Sequence, residues 1–202
     1  MTDPDWPAYY AVTVARPPWP TVLEAIRRFE SEDGPSAPAR FAVDLGCGAG
    51  RDARALLRSG WRVVAIDREP EAVDALLAAT PTADRPHLET RVSDLASADI
   101  PPCDLVNASL SLPFLAPDDY QRVWERSISA IGPGGRFAGM LFGDRDESAS
   151  DPSMTCPSPD RIRTLLGGFE IETWSEKEED GLTALGEAHH FHLIEVVARR
   201  PG

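Results

Sequence analysis

The feature that most constrains the fold is a glycine-rich turn between a short apolar segment and a helical pattern. A buried strand is predicted over Phe41 to Leu45, the turn Gly46-Cys47-Gly48-Ala49-Gly50 follows, and residues 51–59 carry the apolar spacing of a helix. Glycines let a backbone approach a ligand closely, and the start of a helix presents free N–H groups. This strand–turn–helix unit predicts a site for a nucleoside or a dinucleotide.

Strand and helix patterns alternate through the rest of the chain, which is typical of an α/β sandwich with a mostly parallel sheet. The further strands are predicted at residues 61–66, 88–92, 105–108, 136–142, 169–176 and 190–198. The last two strands have no helix between them and should pair antiparallel.

The segments between these strands are predicted as helices, an irregular arm and a break. The helices cover residues 21–30, 70–77, 118–131 and a stretch that starts at Ser158. Residues 1–20 are rich in proline and aromatics and predict an irregular arm. Gly132-Pro133-Gly134-Gly135 predicts a firm break before the fifth strand.

Charge and composition narrow the class of ligand. The chain has 202 residues, with 20 basic and 33 acidic side chains, a net charge of −13. A protein that binds nucleic acid needs a basic face for the phosphates, so a small molecule is the expected partner. No apolar run approaches the ~20 residues that span a bilayer, and the acidic N-terminus lacks a secretory signal pattern. We therefore expect a cytoplasmic protein without a membrane partner.

The three cysteines, Cys47, Cys103 and Cys156, are widely spaced and predict neither a disulfide framework nor a zinc site. No metal is expected.

Two acidic residues bracket the glycine turn and separate two kinds of cofactor. Nicotinamide and flavin enzymes usually carry G-x-G-x-x-G, whereas here single residues separate Gly46, Gly48 and Gly50. Asp44 suits the positively charged amino group of S-adenosylmethionine, and Asp67, at the end of the second strand, suits its ribose hydroxyls. A nicotinamide-dependent oxidoreductase is therefore the disfavoured alternative.

These stretches closely resemble motifs I and II of the class I S-adenosylmethionine-dependent methyltransferases. Three later stretches resemble the family's further motifs in order and spacing: Val92-Ser93-Asp94-Leu95, Asp104-Leu105-Val106-Asn107-Ala108, and Ile131-Gly132-Pro133-Gly134-Gly135-Arg136. The resemblance implies a Rossmann-like three-layer sandwich whose seven-stranded sheet has the order 3-2-1-4-5-7-6, with strand seven antiparallel. It also implies S-adenosylmethionine as cofactor and S-adenosylhomocysteine as product.

The resemblance further implies a set of cofactor-binding residues, with Asp94 on the adenine amine. They are Asp44, Gly46, Cys47, Gly48, Gly50, Asp67, Arg68, Asp94, Leu95 and Asn107. We expect one methyltransferase domain over residues 1–202. Within it, residues 1–35 form an arm and a helix that act as a lid, residues 40–145 the cofactor-binding core, and residues 146–202 a helix and the antiparallel strand pair.

The methyl acceptor should lie beyond the carboxyl ends of strands four and five, because ligands gather there in open α/β sheets. Strand alternation puts His190 and His192 on one face, and His189 on the other, beside the end of strand five. His190 and His192 are candidate general bases. They could equally cover the sheet's end, and a metal site is a weaker third reading.

Tyr10, together with Trp6 and Tyr9, belongs to the arm. These aromatics are expected to exclude water and to contact the sulfonium by cation–π attraction, or else only to anchor the arm, and Tyr10 is the third candidate catalytic residue.

The acceptor itself is a prediction by class only. Asn107-Ala108-Ser109-Leu110 lacks the N-P-P-Y pattern that clamps a flipped base. The late segments, from Gly143 and from Gly186 to His192, resemble small bacterial methyltransferases of the tellurite-resistance type, whose acceptors are often unassigned. We expect in-line methyl transfer to a small molecule, by a monomer or a homodimer. The alternative is a catalytically silent S-adenosylmethionine-binding protein, or an enzyme that uses this cofactor for a non-methyl reaction.

Overall fold

The structure is a computed structural model that describes residues 5–34 and 37–202. The first four residues of the predicted arm, and residues 35–36 after it, lie outside the described part. The strands are β1 (Phe41–Leu45), β2 (Arg62–Asp67), β3 (Leu88–Val92), β4 (Cys103–Ser109), β5 (Ile131–Phe142), β6 (Glu170–Leu182) and β7 (Ala188–Arg199). They form one sheet of order β3-β2-β1-β4-β5-β7-β6, in which β7 runs antiparallel to both neighbours. The predicted fold is confirmed.

Helices cover both faces of this sheet and complete the three layers. They are α1 (Trp6–Thr13), α2 (Pro20–Glu32), α3 (Arg51–Arg58), α4 (Pro70–Ala79), α5 (Pro117–Ala130) and α6 (Pro159–Leu165). Helices α2, α3 and α4 pack their apolar side chains on one face, and α5 and α6 pack on the other. Both faces of the parallel strands are therefore buried, which explains their near-continuous apolar sequence.

The N-terminal segment was expected to be irregular, and that expectation is wrong, because residues 6–13 form α1. Pro7 lies in the first turn, where a missing N–H costs no helical hydrogen bond, and the Asp5 side chain caps the helix by accepting from the Ala8 amide at 3.0 Å.

The expected break at residues 132–135 is also wrong, because β5 already begins at Ile131. The glycines are accommodated by a register shift against β4 between Cys103 and Leu105. A Cβ on Gly135 would lie 2.7 Å from the Asp104 carbonyl oxygen, so the two strands pass too closely here for any side chain.

The β6–β7 hairpin is longer than its apolar pattern predicts. It extends through Leu182 and Ala188, whereas β5, its neighbour, ends at Phe142, opposite Leu193. The hairpin therefore projects past the carboxyl end of β5 and forms a wall there.

A buried arginine joins α2 to the antiparallel edge of the sheet. The Arg136 side chain is fully buried, its Nε donates to Glu172 at 2.7 Å, and its guanidinium also pairs with Glu32. The same guanidinium lies 4.4 Å from the ring centroid of Phe29. Arg28 lies 3.6 Å from Glu172 and Arg199 lies 3.9 Å from Glu32, so Arg136 is the buried centre of a wider ion network.

We predict that Arg136→Met lowers the free energy of unfolding by about 2 kcal/mol, because the half-buried Glu172 then loses its two hydrogen bonds from Arg136 and keeps only the longer ion pair with Arg28 at 3.6 Å. Urea denaturation measures this value. The matched control is Arg122→Met, which removes an exposed pair with Asp119 and should change stability by less than ~0.5 kcal/mol. Equal effects of the two substitutions would contradict the structural role of Arg136.

Candidate active site

The glycine turn lies at the carboxyl ends of β1, β2 and β4. Gly46, Gly48 and Gly50 all have φ between 52° and 78°, the left-handed region that favours glycine. At Gly46 the packing requires glycine as well, because an added Cβ would lie 2.3 Å from the Cβ of Ser111. The turn is thus pressed against the end of β4.

Asp67 fixes this turn to the tip of β2. Its Oδ2 accepts from the Gly48 amide at 2.8 Å, and its Oδ1 accepts from the Glu69 amide at 3.0 Å. The residue is buried. Because a carboxylate has about four lone-pair sites, both oxygens keep capacity for a ligand's hydroxyl groups.

Two buried carboxylates share one amide beside the turn. Asp44 and Asn107 are register partners on β1 and β4, and the Asn107 Nδ2 donates to Asp44 Oδ1 at 2.7 Å and to Asp52 Oδ2 at 3.1 Å. The other Asp52 oxygen accepts from the Trp19 amide at 2.9 Å. Among the described side chains, no cation forms an ion pair with either carboxylate.

The burial of Asp44 beside a second carboxylate raises its pKa. Burial, and then the charge of Asp52, raise the pKa of Asp44 to about 8, although the Asn107 hydrogen bond lowers it. Within the described residues, no group meets hydrogen-bond geometry with Asp44 Oδ2, which is buried. A buried carboxylate oxygen without a donor, next to a second carboxylate, favours the binding of a cation, because buried charges need a partner.

Two further polar atoms at this end of the sheet are buried without a partner in the described part of the chain. They are the Ser111 Oγ and the Trp6 Nε1. Leu110, which precedes Ser111, has a φ of 55°, an uncommon and strained value for a residue that is not glycine. This turn presses Ser111 against Gly46. Unsatisfied polar groups and local strain at one place are typical of a ligand site.

Helix α1 covers the site, and α3 anchors it. The Tyr10 ring lies 3.4 Å from the position that a Cβ on Gly48 would take. Behind α1, Arg54 donates to the Val14 carbonyl, and Arg51 donates to the Pro17 carbonyl at 2.8 Å. Burial and the charge of Asp67 raise the pKa of Tyr10, so this phenol stays protonated at neutral pH.

Aromatic rings form a row from α1 to β7. Trp6 meets Phe114 at a centroid distance of 5.2 Å, Phe114 meets Phe142 at 6.2 Å, and Phe142 meets the His189 ring at 6.2 Å. The His189 ring in turn lies 4.4 Å from that of Phe191. Of these side chains, the sequence predicts Trp6 as part of the arm and His189 on the face opposite the candidate bases, but it does not single out Phe114, Phe142 or Phe191. Their contacts join segments far apart in sequence, which no local pattern reveals.

The structure places the candidate bases His190 and His192 in an ionic network on the hairpin. The His192 side chain is fully buried, and its Nε2 lies 2.9 Å from Arg145 Nη2 and 3.1 Å from Glu176 Oε1. His190 is partly exposed and lies between Asp180 and Glu178, which raise its pKa, Asp180 most. Their role as bases stays a prediction.

The remaining predicted cofactor residues lie around the tips of β1 to β3. Cys47 is buried, and burial raises the pKa of its thiol, which excludes a reactive thiolate. Arg68 pairs with Glu69 at 3.0 Å and lies 5.8 Å from the Trp6 ring centroid. Leu95 is buried, and Asp94 is exposed, its Oδ1 accepting from the Ala96 amide at 2.7 Å.

Asp52 is a member of the site that the sequence patterns missed. The only available signal was its position near the start of the helix that follows the glycine turn, where acidic residues are favourable for general reasons.

Comparison with known proteins shows a similarity to methyltransferases. Residues 42–135 match a family described as a methyltransferase domain. Over 109 residues, 48% of this chain, the sequence is 29% identical to the carboxy-S-adenosyl-L-methionine synthase of Cronobacter sakazakii, of which the match covers 42%.

Solved structures share the fold. TehB from Haemophilus influenzae superposes with a TM-score of 0.72 at 17% identity, over 89% of this chain and 61% of that one. The 1,6-didemethyltoxoflavin-N1-methyltransferase of Burkholderia thailandensis gives 0.65 at 18% identity, over 96% and 81%. This chain thus spans about two fifths of the curated relative and three fifths of TehB.

The family match covers slightly less than half of this chain, and the solved structures show that its fold is shared with S-adenosylmethionine-dependent methyltransferases. None of the helices in residues 5–34 and 37–202 combines the length and the apolar character that crossing a membrane requires.

We predict that Asp44→Asn stabilises the cofactor-free protein, increasingly so as the pH rises from 5 to 8. In the wild type the folded-state pKa of Asp44, about 8, exceeds the unfolded value of about 3.9, so the folded state holds a proton that the unfolded state has lost. Stability contributed by that proton is present below pH 4 and is lost as the pH rises to 8. An asparagine removes this loss.

Melting temperatures of wild type and variant across this pH range test the prediction, and a gain of several degrees at pH 8 is expected. The control is Asp74→Asn, an exposed position on α4. A wild-type-to-Asp44→Asn difference that does not grow with pH would contradict the raised pKa.

Proposed function

We propose that this chain transfers the methyl group of S-adenosylmethionine to a small-molecule acceptor, bound between the glycine turn, the end of β4 and α1. The observation that carries the proposal is the unpartnered, buried Asp44 Oδ2 beside Asp52. Two buried carboxylates with one shared amide are costly unless a cation joins them, and the amino group of S-adenosylmethionine is a cation of suitable size.

The other groups of the site fit the same cofactor. Under this proposal Asp44 accepts from the amino group while Asn107 holds that carboxylate in place, and Asp67 accepts from the ribose hydroxyls. The backbone of the glycine turn would line the cofactor site. The adenine end would be held by Asp94 and Leu95, and Cys47 and Arg68 would line the site from the turn and from the tip of β2.

Methyl transfer from a sulfonium does not require the protein to form a covalent intermediate. The bound cofactor supplies an already activated methyl carbon. The chain's own contribution is to hold an acceptor in line with that carbon and to exclude water, which can account for most of the acceleration. Trp6 and Tyr10 on α1 close the site from above, which supports the proposal that residues 1–35 act as a lid within a single domain of residues 1–202.

A small acceptor is supported by charge and by one neighbour. The net charge of −13 disfavours phosphate-rich substrates. The Burkholderia methyltransferase with the same fold was solved with 1,6-didemethyltoxoflavin and S-adenosylhomocysteine bound. A cytoplasmic location, and the choice between monomer and homodimer, stay predictions from the sequence.

We predict that Asp44→Asn weakens binding of S-adenosylmethionine about 10- to 100-fold, the loss expected for a hydrogen bond between charged groups. Isothermal titration calorimetry at pH 7.5 measures this, and Asp74→Asn, on the surface of α4, should bind like the wild type. Failure of the wild type to bind, or equal binding by Asp44→Asn, would contradict the proposal.

Methyl transfer is tested with S-adenosylmethionine labelled on its methyl group and a panel of phenols, N-heterocycles, amines and thiols. The expected result is label in a small-molecule product with the wild type and strongly reduced label with Asp44→Asn. Tight cofactor binding with no transfer to any of these acceptors, but with transfer to RNA or to a protein, would contradict the assignment of the acceptor class.

A further inference from the structure

We infer that His189, positioned by Asp146, accepts the proton of the methyl acceptor, and that this acceptor is a flat aromatic molecule with an ionisable O–H or N–H group. This inference rests on the proposed methyl transfer and names the base and the acceptor class for the same site.

Sheet register places His189 on the face that carries the cofactor residues. Asp44 pairs with Asn107, Asn107 with Ala138 and Ala138 with Val197, so these side chains share one face. Counting in twos along β7 from Val197 gives Leu193, the partner of Phe142, and then His189. His189 therefore faces the same side of the sheet as Asp44.

His190 and His192 point to the opposite face. Their partners there are the carboxylates of Glu176, Glu178 and Asp180 on β6. A proton acceptor for chemistry on the Asp44 face must lie on that face, and His189 is the histidine of β7 that does.

Asp146 fixes the orientation of the His189 ring. The His189 Nε2 lies 2.9 Å from Asp146 Oδ1, and the Asp146 side chain is fully buried. The same carboxylate accepts from the amides of Ser148 and His192, each at 3.0 Å. A carboxylate held by two backbone donors can only accept from the ring, so the Nε2 carries the hydrogen and the Nδ1 lone pair is available.

The charged groups that face the His189 ring belong to one loop. They are Asp146 and Glu147, which follow β5, and the Glu147 Oε2 lies 3.6 Å from the Nδ1, beyond hydrogen-bond distance. The Glu147 side chain is 59% exposed, and its Oε2 accepts from the His190 backbone amide at 3.2 Å. The partner of His189 on β6 is Gly181, which brings no side chain to the ring. The ring itself remains partly exposed.

The row of aromatic rings beside His189 favours a flat acceptor. Phe191 and Phe142 flank the imidazole, and Phe114 and Trp6 continue the row toward the glycine turn. Aromatic rings in such a row stack on a conjugated ligand at centroid distances of about 4.5–7 Å. An aliphatic acceptor would gain no comparable stacking.

The chemical step balances with these groups. The acceptor oxygen or nitrogen uses a lone pair to form the bond to the methyl carbon. The bond between that carbon and sulfur breaks, and its electron pair passes to sulfur. The proton of the acceptor moves to the His189 Nδ1, and the Asp146 carboxylate stabilises the resulting imidazolium.

The kinetic test uses 2-naphthol and 8-hydroxyquinoline as flat acceptors and cyclohexanol as an aliphatic control, with methyl-labelled S-adenosylmethionine. His189→Gln should lower kcat about 100-fold or more, with the affinity for S-adenosylmethionine within twofold of wild type. The fall of wild-type rate in acid should disappear in the variant, and its rate should recover as the pH approaches the acceptor's own ionisation. His87→Gln, on the surface before β3, is the matched control and should behave as wild type.

A second readout does not depend on turnover. Nitrogen NMR of the histidine rings, assigned by comparing wild type, His189→Gln and His190→Gln, should show an Nε2–H tautomer for His189. Adding 2-naphthol to protein loaded with S-adenosylhomocysteine should shift the His189 ring signals and leave those of His190 in place. His189→Asn is a second variant, and circular dichroism of each variant reports its folding.

Several results would overturn the inference while leaving the proposed function intact. Normal turnover of His189→Gln, loss of turnover only in His190→Gln, methylation of cyclohexanol in preference to the flat acceptors, or an Nδ1–H tautomer at His189 would each do so. An absence of His189 shifts with 2-naphthol would overturn it as well. If wild type does not bind S-adenosylmethionine, the proposed function fails instead.

Discussion

The hydrogen bonds by which Asn107 joins Asp44 to Asp52 are the interaction on which the rest of the site depends. They connect β1, β4 and the start of α3 at the point where the glycine turn leaves the sheet. Through the Trp19 amide, Asp52 also holds the segment that leads from α1 to α2. The proposed cofactor site and the segment that covers it are therefore parts of one buried polar network, and among the described residues one of its carboxylate oxygens has no hydrogen-bond partner.

Because side chains alternate along each strand, one face of the sheet carries the proposed site and the other carries an ionic network. Asp44, Asn107, Phe142 and His189 lie on one face. On the other, the hairpin carries alternating charges that pair with Arg145 and bury His192. The hairpin projects past β5, so the same two strands supply a wall for the site and a network that fixes the loop after β5.

The sequence predicts the fold well because its signals are local. The bounds of β1 and β3 are as predicted, since short apolar runs end in turn residues there. Helix α1 was missed because a segment rich in proline and aromatic residues resembles a loop. The hydrogen bond from the Ala8 amide to the Asp5 side chain, which caps the helix, is visible only in the structure. The partnership of Asp52 with Asn107 spans 55 positions, and the face toward which each histidine points depends on the pairing of β5 with β7. Such non-local relations are absent from patterns along the chain.

The most direct measurement of the central claim is the number of protons exchanged when S-adenosylmethionine binds. Calorimetric titrations at pH 7 in buffers of different ionisation enthalpy give this number. Because the pKa of Asp44 is about 8 in the free protein, a cation that seats on it must displace a proton, and the wild type should release most of one proton. Asp44→Asn should release correspondingly less. Binding with no proton release by the wild type, or with equal release by the variant, would show that the buried carboxylate pair is not the seat of the cofactor's amino group.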